Sequence, residues 1–241
     1  MCLLVDMGNT RLKWAVLDDS NVLNMSALLN ESLNESVLFK HWQTLKPPRQ
    51  LFISCVSANR YLDCVKKVAL SLWLNIDIVC VHSQTKGFGV KNAYEKPESL
   101  GVDRWLALIA ARNLYDGAVC VVDCGTAITI DLLTAEGLHL GGFISAGIGL
   151  MKQSLAHGTN GLPLVDSSHG LNAACSTKAA IHSGTVLAAV GLIEKVLARQ
   201  SETFMLVLTG GDAELIAPLL NVKSHINKEL VLHGLAMMAH L

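Results

Sequence analysis

The chain has 241 residues, 51% hydrophobic and 16% charged, with a formal net charge of −1 at neutral pH. That balance excludes a disordered polymer, which lacks the apolar side chains to fill a core, and an electrostatic nucleic-acid binder, which needs a basic stripe. Asp, Lys, Asn or His interrupts every apolar run before it reaches the ~18 residues of a membrane span, so neither nucleic acid nor membrane is an expected partner.

The first elements expected in chain order are a strand at Leu3–Val5, a turn, and a second strand over Leu12–Leu17 that closes a hairpin. Pro47-Pro48 breaks the chain before a strand at Leu51–Val56. Apolar residues at helical spacing predict a helix over Asn59–Trp73, and Ile76–Val81 reads as a further strand. Ser83–Ser99, with Gly87, Gly89 and Pro97, reads as loop, followed by a helix over Arg104–Tyr115. Strands then follow at Val119–Val122 and Ala127–Leu133, with a turn and third strand over Gly137–Ile144. Gly147-Ile148-Gly149 reads as a turn, Lys152–Gly161 as partly helical and Leu162–Asn172 as loop. A long helix over Thr177–Arg199 precedes a strand at Phe204–Leu208 and a last helical region beyond Asp212. The class is α/β, and two hairpin-led halves are expected at 1–116 and 117–241.

The seven cysteines, at 2, 55, 64, 80, 120, 124 and 175, include no Cys-x-x-Cys pair and point to a reduced, cytoplasmic protein. The start of the chain has no basic region ahead of an apolar one and does not read as a secretory signal. The nine histidines show no metal-protease spacing, so a zinc site is not expected.

The chemistry is concentrated in a repeat. Cys2-Leu3-Leu4-Val5 ends in Asp6-Met7-Gly8-Asn9-Thr10-Arg11, and Val119-Cys120-Val121-Val122 ends in Asp123-Cys124-Gly125-Thr126. The two aspartates stand close to half a chain length apart. A strand that stops at Asp-x-Gly and then offers amide or hydroxyl side chains makes a phosphate-gripping turn, because glycine admits close approach and positive φ. Thr209-Gly210-Gly211-Asp212, after another apolar run, adds a third such turn. No Gly-x-x-x-x-Gly-Lys-[Ser/Thr] and no Gly-x-Gly-x-x-Gly occurs, which leaves out the P-loop and the dinucleotide fingerprint. By physics alone Asp103, at the expected start of a helix, reads as an N-cap. Lys152 reads as a surface lysine, Cys124 as packing, and Trp105-Leu106-Leu108-Ile109 and Met237-Met238 as core.

These turns, with Asn92-Ala-Tyr-Glu-Lys-Pro97, Gly101-Val-Asp-Arg-Trp105, Asp123-Cys-Gly-Thr-Ala-Ile-Thr-Ile-Asp131 and Gly141-Gly142 in the same order, resemble type III pantothenate kinases. Those belong to the superfamily of sugar and acetate kinases, actin and heat-shock chaperone ATPases. The resemblance spans essentially the whole chain. It implies two tandem ribonuclease-H-like (actin-like ATPase) halves and ATP-dependent phosphorylation of the 4′-hydroxyl of pantothenate, the first step toward coenzyme A. It implies that ATP is bound by Asp6, Met7, Gly8, Asn9, Thr10, Arg11, Leu12 and Lys13, by Thr126, and by Gly210 and Gly211. Asp6 would hold magnesium through water, and Asp123 a monovalent cation, potassium or ammonium. Asp103 would be the catalytic base, with Gly101, Val102, Asp103, Arg104, Tyr94 and Thr177 around pantothenate. Thr177 would reach the site of a partner subunit, which implies a homodimer. Ala146-Gly147 and Thr159-Asn160-Gly161 depart from the family's usual loops without removing a chemical group. Two other readings stay open: a kinase of the same fold acting on another small alcohol, and a nucleotide-binding regulatory protein acting as a transcriptional accessory.

Overall fold

The computed structural model describes residues 1–18 and 21–239. Strands β1 (Cys2–Met7), β2 (Arg11–Asp18), β3 (Asn21–Leu29), β4 (Gln50–Cys55) and β5 (Asp77–Cys80) form one sheet in the order β3-β2-β1-β4-β5. β1 runs antiparallel to β2 and parallel to β4. Side chains alternate across the sheet, so Leu3, Val5 and Met7 meet Leu38 and Trp42 of α1 (Glu35–Trp42) and Val65, Val68 and Ala69 of α2 (Asn59–Leu72) in one core. Trp42 sits between Trp14, edge-on at 6.4 Å, and Trp73, stacked at 5.7 Å. A two-stranded hairpin, β6 (Lys86–Gly87) and β7 (Val90–Lys91), interrupts the expected 83–99 loop before α3 (Val102–Leu114).

A second sheet repeats the plan. Strands β8 (Val119–Cys124), β9 (Ala127–Leu133), β10 (His139–Ala146), β11 (Met205–Thr209) and β12 (Ser224–Ile226) stand in the order β10-β9-β8-β11-β12. Its core joins Cys120, Val122, Ile128 and Ile130 to Ile148 of α4 (Ile148–Gly158) and to Val186, Ala189, Val190 and Ile193 of α5 (Thr177–Leu197). α6 (Ala213–Ile216) follows β11, and α7 (Leu230–Ala239) ends the described chain.

The molecule packs as two units, Met1–Leu114 with Glu229–Leu241, and Tyr115–Lys228. This differs from a division into 1–116 and 117–241, because α7 packs on α3 and on β1 of the first unit. Gly234 permits it: a Cβ there would collide with the Leu106 backbone. Enclosed in this way, α3 is buried on nearly every side, which is why Trp105, Leu106, Leu108 and Ile109 are all fully covered.

Several elements lie outside the sequence expectation. β3 is mostly exposed and α1 is a short helix capped by Asn34, so neither carries a long periodic signal. α4 begins at Ile148, with Gly147 as its N-cap, where a turn was expected. α5 also departs: over 18 residues it is long and apolar enough to satisfy the length and composition of a membrane span. Its buried residues Val186, Ala189, Val190, Ile193 and Val196 lie in the second core, the position of a helix inside a folded unit.

Candidate active site

Each unit carries half of the expected chemistry. In the first, Asp6 is the fifth of six residues in β1 and pairs across the parallel ladder with Ser54 of β4. Both are buried, and Ser54 Oγ donates to Asp6 Oδ1 at 3.1 Å. Beyond Asp6 the chain turns tightly, Gly8 N–H donating to the Arg11 carbonyl at 3.0 Å. Asn30, just after β3, braces that turn: its Nδ2 donates to the Gly8 and Asn9 carbonyls at 2.8 and 2.9 Å, and its own N–H to the Thr10 carbonyl at 2.9 Å. In a trans peptide the C=O and the following N–H point in opposite directions. Drawing the Gly8 and Asn9 carbonyls toward Asn30 therefore aims the Asn9 and Thr10 amides away from it, as a backbone anion nest requires. Asn9, Thr10 and Arg11 are exposed, and Lys13 is half-buried. Met7 and Leu12 are core side chains, so only their backbone is available to a nucleotide.

Asp103 is the second residue of α3, not its cap; the cap is Gly101, whose carbonyl accepts from Trp105 N–H at 3.0 Å. Asp103 Oδ1 instead accepts from Arg104 N–H at 2.8 Å, which fixes the carboxylate at the helix start, where the aligned peptide dipoles favour negative charge. Val102 is buried beneath it. Arg104 is only 6% exposed. Its Nη1 donates to Tyr94 Oη at 2.8 Å, and its guanidinium lies 5.7 Å from the Tyr94 ring centre. The structure thus joins Tyr94, Asp103 and Arg104, which come from a loop and a helix.

In the second unit Asp123 is again the fifth of six residues in its strand, and it pairs with Thr209 of β11. Gly125 N–H donates to the Ala127 carbonyl at 3.1 Å to close the turn. Exposed Thr126 is held through its carbonyl, which accepts from Gly147 N–H at 2.9 Å, and Asp212 N–H donates to the Cys124 carbonyl at the same distance. Gly210, at φ +88°, is turned so closely on this loop that a Cβ would meet Asp123 Oδ1 and the Cys124 carbonyl group. Gly211 beside it is exposed. Burial pushes the Cys124 thiol up to about 12, helped by the nearby carboxylates of Asp123 and Asp212. The thiol is thus protonated packing.

Thr177 is exposed at the first position of α5, whose cap is Ser176; the Ser176 hydroxyl accepts from Ala179 N–H at 3.4 Å. Lys152 is not a free surface lysine: its Nζ lies 3.2 Å from Nδ1 of buried His182. Burial lowers the His182 pKa, and the charges of Lys152 and His169 lower it further. The imidazole is therefore neutral at pH 7 and accepts from the ammonium. Among the described residues no group of three His, Cys, Asp or Glu side chains is placed to hold a metal ion.

A family model described as type III pantothenate kinase matches residues 2–199. The chain belongs to the type III pantothenate kinase family. Curated type III pantothenate kinases of Nitrosococcus oceani and Dechloromonas aromatica are each 38% identical to it, the first over 99% of this chain and 94% of the relative, the second over 99% of both. Among solved structures, a conserved putative Baf family transcriptional activator from Campylobacter jejuni is 25% identical, with TM-score 0.61 over 99% of this chain and 97% of that one. A putative 2-dehydro-3-deoxygalactonokinase from Sinorhizobium meliloti, 15% identical, has TM-score 0.65 over 100% and 96% of the two chains. That likeness extends to fold alone, and with the repeated strand order it gives the two units a ribonuclease-H-like fold.

Sequence reasoning about this pantothenate kinase family member missed Asn30 and Ser54. Asn30 follows a strand with no clear pattern, and Ser54 sits inside an apolar run, where a serine carries no signal until the parallel register places it beside Asp6.

Proposed function

We propose that the protein transfers the γ-phosphoryl group of ATP to the 4′-hydroxyl of pantothenate. The observation that carries this is the joined set of Tyr94, Asp103 and Arg104 in a chain that matches the pantothenate kinase family along its length. Phosphoryl transfer asks a protein for positioning and for neutralised charge. The hydroxyl oxygen forms a bond to the γ-phosphorus, the bond to the β,γ-bridging oxygen breaks, and ADP leaves. Asp103 orients the hydroxyl and takes its proton late, a task that suits a carboxylate. Arg104 and Tyr94 hold the pantothenate, beside Gly101 and Val102.

ATP phosphates are bound by the Asp6–Lys13 turn and by Thr126, with Gly210 and Gly211 at the nucleoside side. Divalent magnesium carries most of its own water. A single oriented carboxylate, Asp6 with one oxygen fixed by Ser54, would hold such a hydrated ion through water. The Asp123 carboxylate, a hard oxygen donor that closely faces Gly210, suits a monovalent cation. When bound, the two ions supply charge neutralisation on the phosphates.

The protein acts as a homodimer in which Thr177 completes the partner's pantothenate site. Phe143, Ile144, Leu150, Leu164 and Leu187 of the second unit are 42–65% exposed and offer apolar surface for such a contact. All seven cysteines are free, which fits a reducing, cytoplasmic setting.

Phosphate transfer from ATP to pantothenate, measured with magnesium and with or without potassium, tests this reading. Wild type should turn over with potassium, and Asp103→Asn should lose about 10²–10⁴-fold in kcat with its KM for ATP little changed. An unaffected mutant would return Asp103 to a structural role at the helix start. ATP binding without turnover on pantothenate would favour another alcohol or the regulatory reading.

A further inference from the structure

The segment between β5 and α3 holds more order than a loop needs, and most of it passes through Asn92. This side chain is 7% exposed. Its Nδ2 donates to the Gln84 carbonyl at 3.1 Å and to the Pro97 carbonyl at 3.3 Å, while its Oδ1 accepts from Tyr94 N–H at 3.0 Å. Its own N–H donates to the Thr85 carbonyl at 2.9 Å. One residue thus gathers both ends of the segment and fixes the backbone of the tyrosine two positions on.

The rest of the segment is pinned independently. Ser83 Oγ donates to the Leu100 carbonyl at 2.8 Å. The β6–β7 turn has Phe88 at φ +51° and Gly89 at φ +80°, the type I′ arrangement that matches strand twist. Its Phe88 carbonyl accepts from Asn113 Nδ2 of α3 at 3.0 Å. The tip and base are therefore docked without Asn92, and what the Asn92 side chain holds is the course of residues 92–97. Tyr94 Oη is in turn the acceptor for buried Arg104 Nη1.

We infer that Asn92 is a positioning residue: it sets the Tyr94 backbone so that the phenol meets the Arg104 guanidinium, and so prepares the substrate-holding pair before substrate arrives. This deepens the pantothenate kinase reading and rests on it for the substrate named. A side chain whose amide satisfies three backbone groups in a buried setting is hard to replace, because each partner left unpaired loses its hydrogen bond without regaining water.

The test has two arms. Amide hydrogen exchange on the unliganded protein reads positioning whatever the substrate is: the Tyr94 amide should exchange at least about tenfold faster in Asn92→Ala, with the Val119–Cys124 amides unchanged. In steady-state kinetics, Asn92→Ala should raise the pantothenate KM about tenfold, with kcat within about twofold and the ATP KM unchanged. Tyr94→Phe should raise the same KM, and the double variant should add little to the larger single effect, since both act through one contact. A Tyr94 amide that exchanges equally in wild type and Asn92→Ala overturns the inference. So does an unchanged pantothenate KM, or single effects that simply multiply. Should Asn92→Ala fail to fold, Asn92→Asp replaces it: the carboxylate still accepts from Tyr94 N–H but loses both donors, and an unchanged pantothenate KM there overturns the inference equally. Wild-type protein with no turnover on pantothenate would defeat the kinase reading instead, and the exchange arm would still decide the positioning role.

Discussion

The two sheets have the same strand order and put an aspartate at the same place in the central strand, yet they secure the following turn in different ways. In the first unit, Val56 N–H donates to the Met7 carbonyl at 3.0 Å, two residues after Ser54. In the second, the equivalent bond runs from Asp212 N–H to the Cys124 carbonyl, three residues after Thr209. The extra residue is absorbed by Gly210 in the left-handed region. The first turn is braced by a side chain, Asn30, and the second by backbone bonds from Gly147 and Asp212. One scaffold thus supports two Asp-x-Gly turns with different points of failure: a deletable side chain in one, a required backbone conformation in the other.

Gly210→Ala should do the most damage. It forces a Cβ into the left-handed region and against Asp123, and should cost about 2–4 kcal/mol. Chemical denaturation would measure it, and a loss below 1 kcal/mol would show that the second turn is not conformationally locked. Asn30→Ala comes next. Losing two hydrogen bonds to backbone carbonyls should cost about 1–3 kcal/mol. It should also raise the ATP KM roughly three- to tenfold as the Asn9 and Thr10 amides lose their aim. If stability falls while the ATP KM does not move, the first turn is a structural brace only.

The smallest difference is electrostatic and belongs to the second unit. The His182 pKa is lowered in the folded protein, so between that value and the ordinary histidine value of about 6.5 the unfolded chain binds more protons than the native one. Stability should therefore be complete above that ordinary value and fall as the pH drops through it. His182→Gln, which keeps an acceptor for Lys152, should flatten this part of the profile. Melting temperatures compared across pH 5.5–7.5 would detect it, and parallel curves for the two proteins would remove His182 as the cause.

The repeated Asp-x-Gly turns were legible in the sequence because strand, glycine and small polar residue follow one another directly. The hairpins β1–β2 and β8–β9, helix α2 and the core stripe of α3 were legible for the same reason: each is a local pattern of period 2 or 3.6. The Asp103 and Arg104 pair was found through its motif, since aspartate near a helix start has an ordinary capping use. Only the tertiary structure decided that Gly101, not Asp103, caps α3. It likewise brought Ser54 to Asp6 and Asn30 under the first turn, paired Lys152 with a neutral histidine, and returned α7 to the first unit. Apart from the α3 cap, which is a local bond, each of these joins residues far apart in the chain through strand register or helix packing. A sequence states the residue types at once, but the partners of a buried polar group exist only after distant segments have been placed against each other.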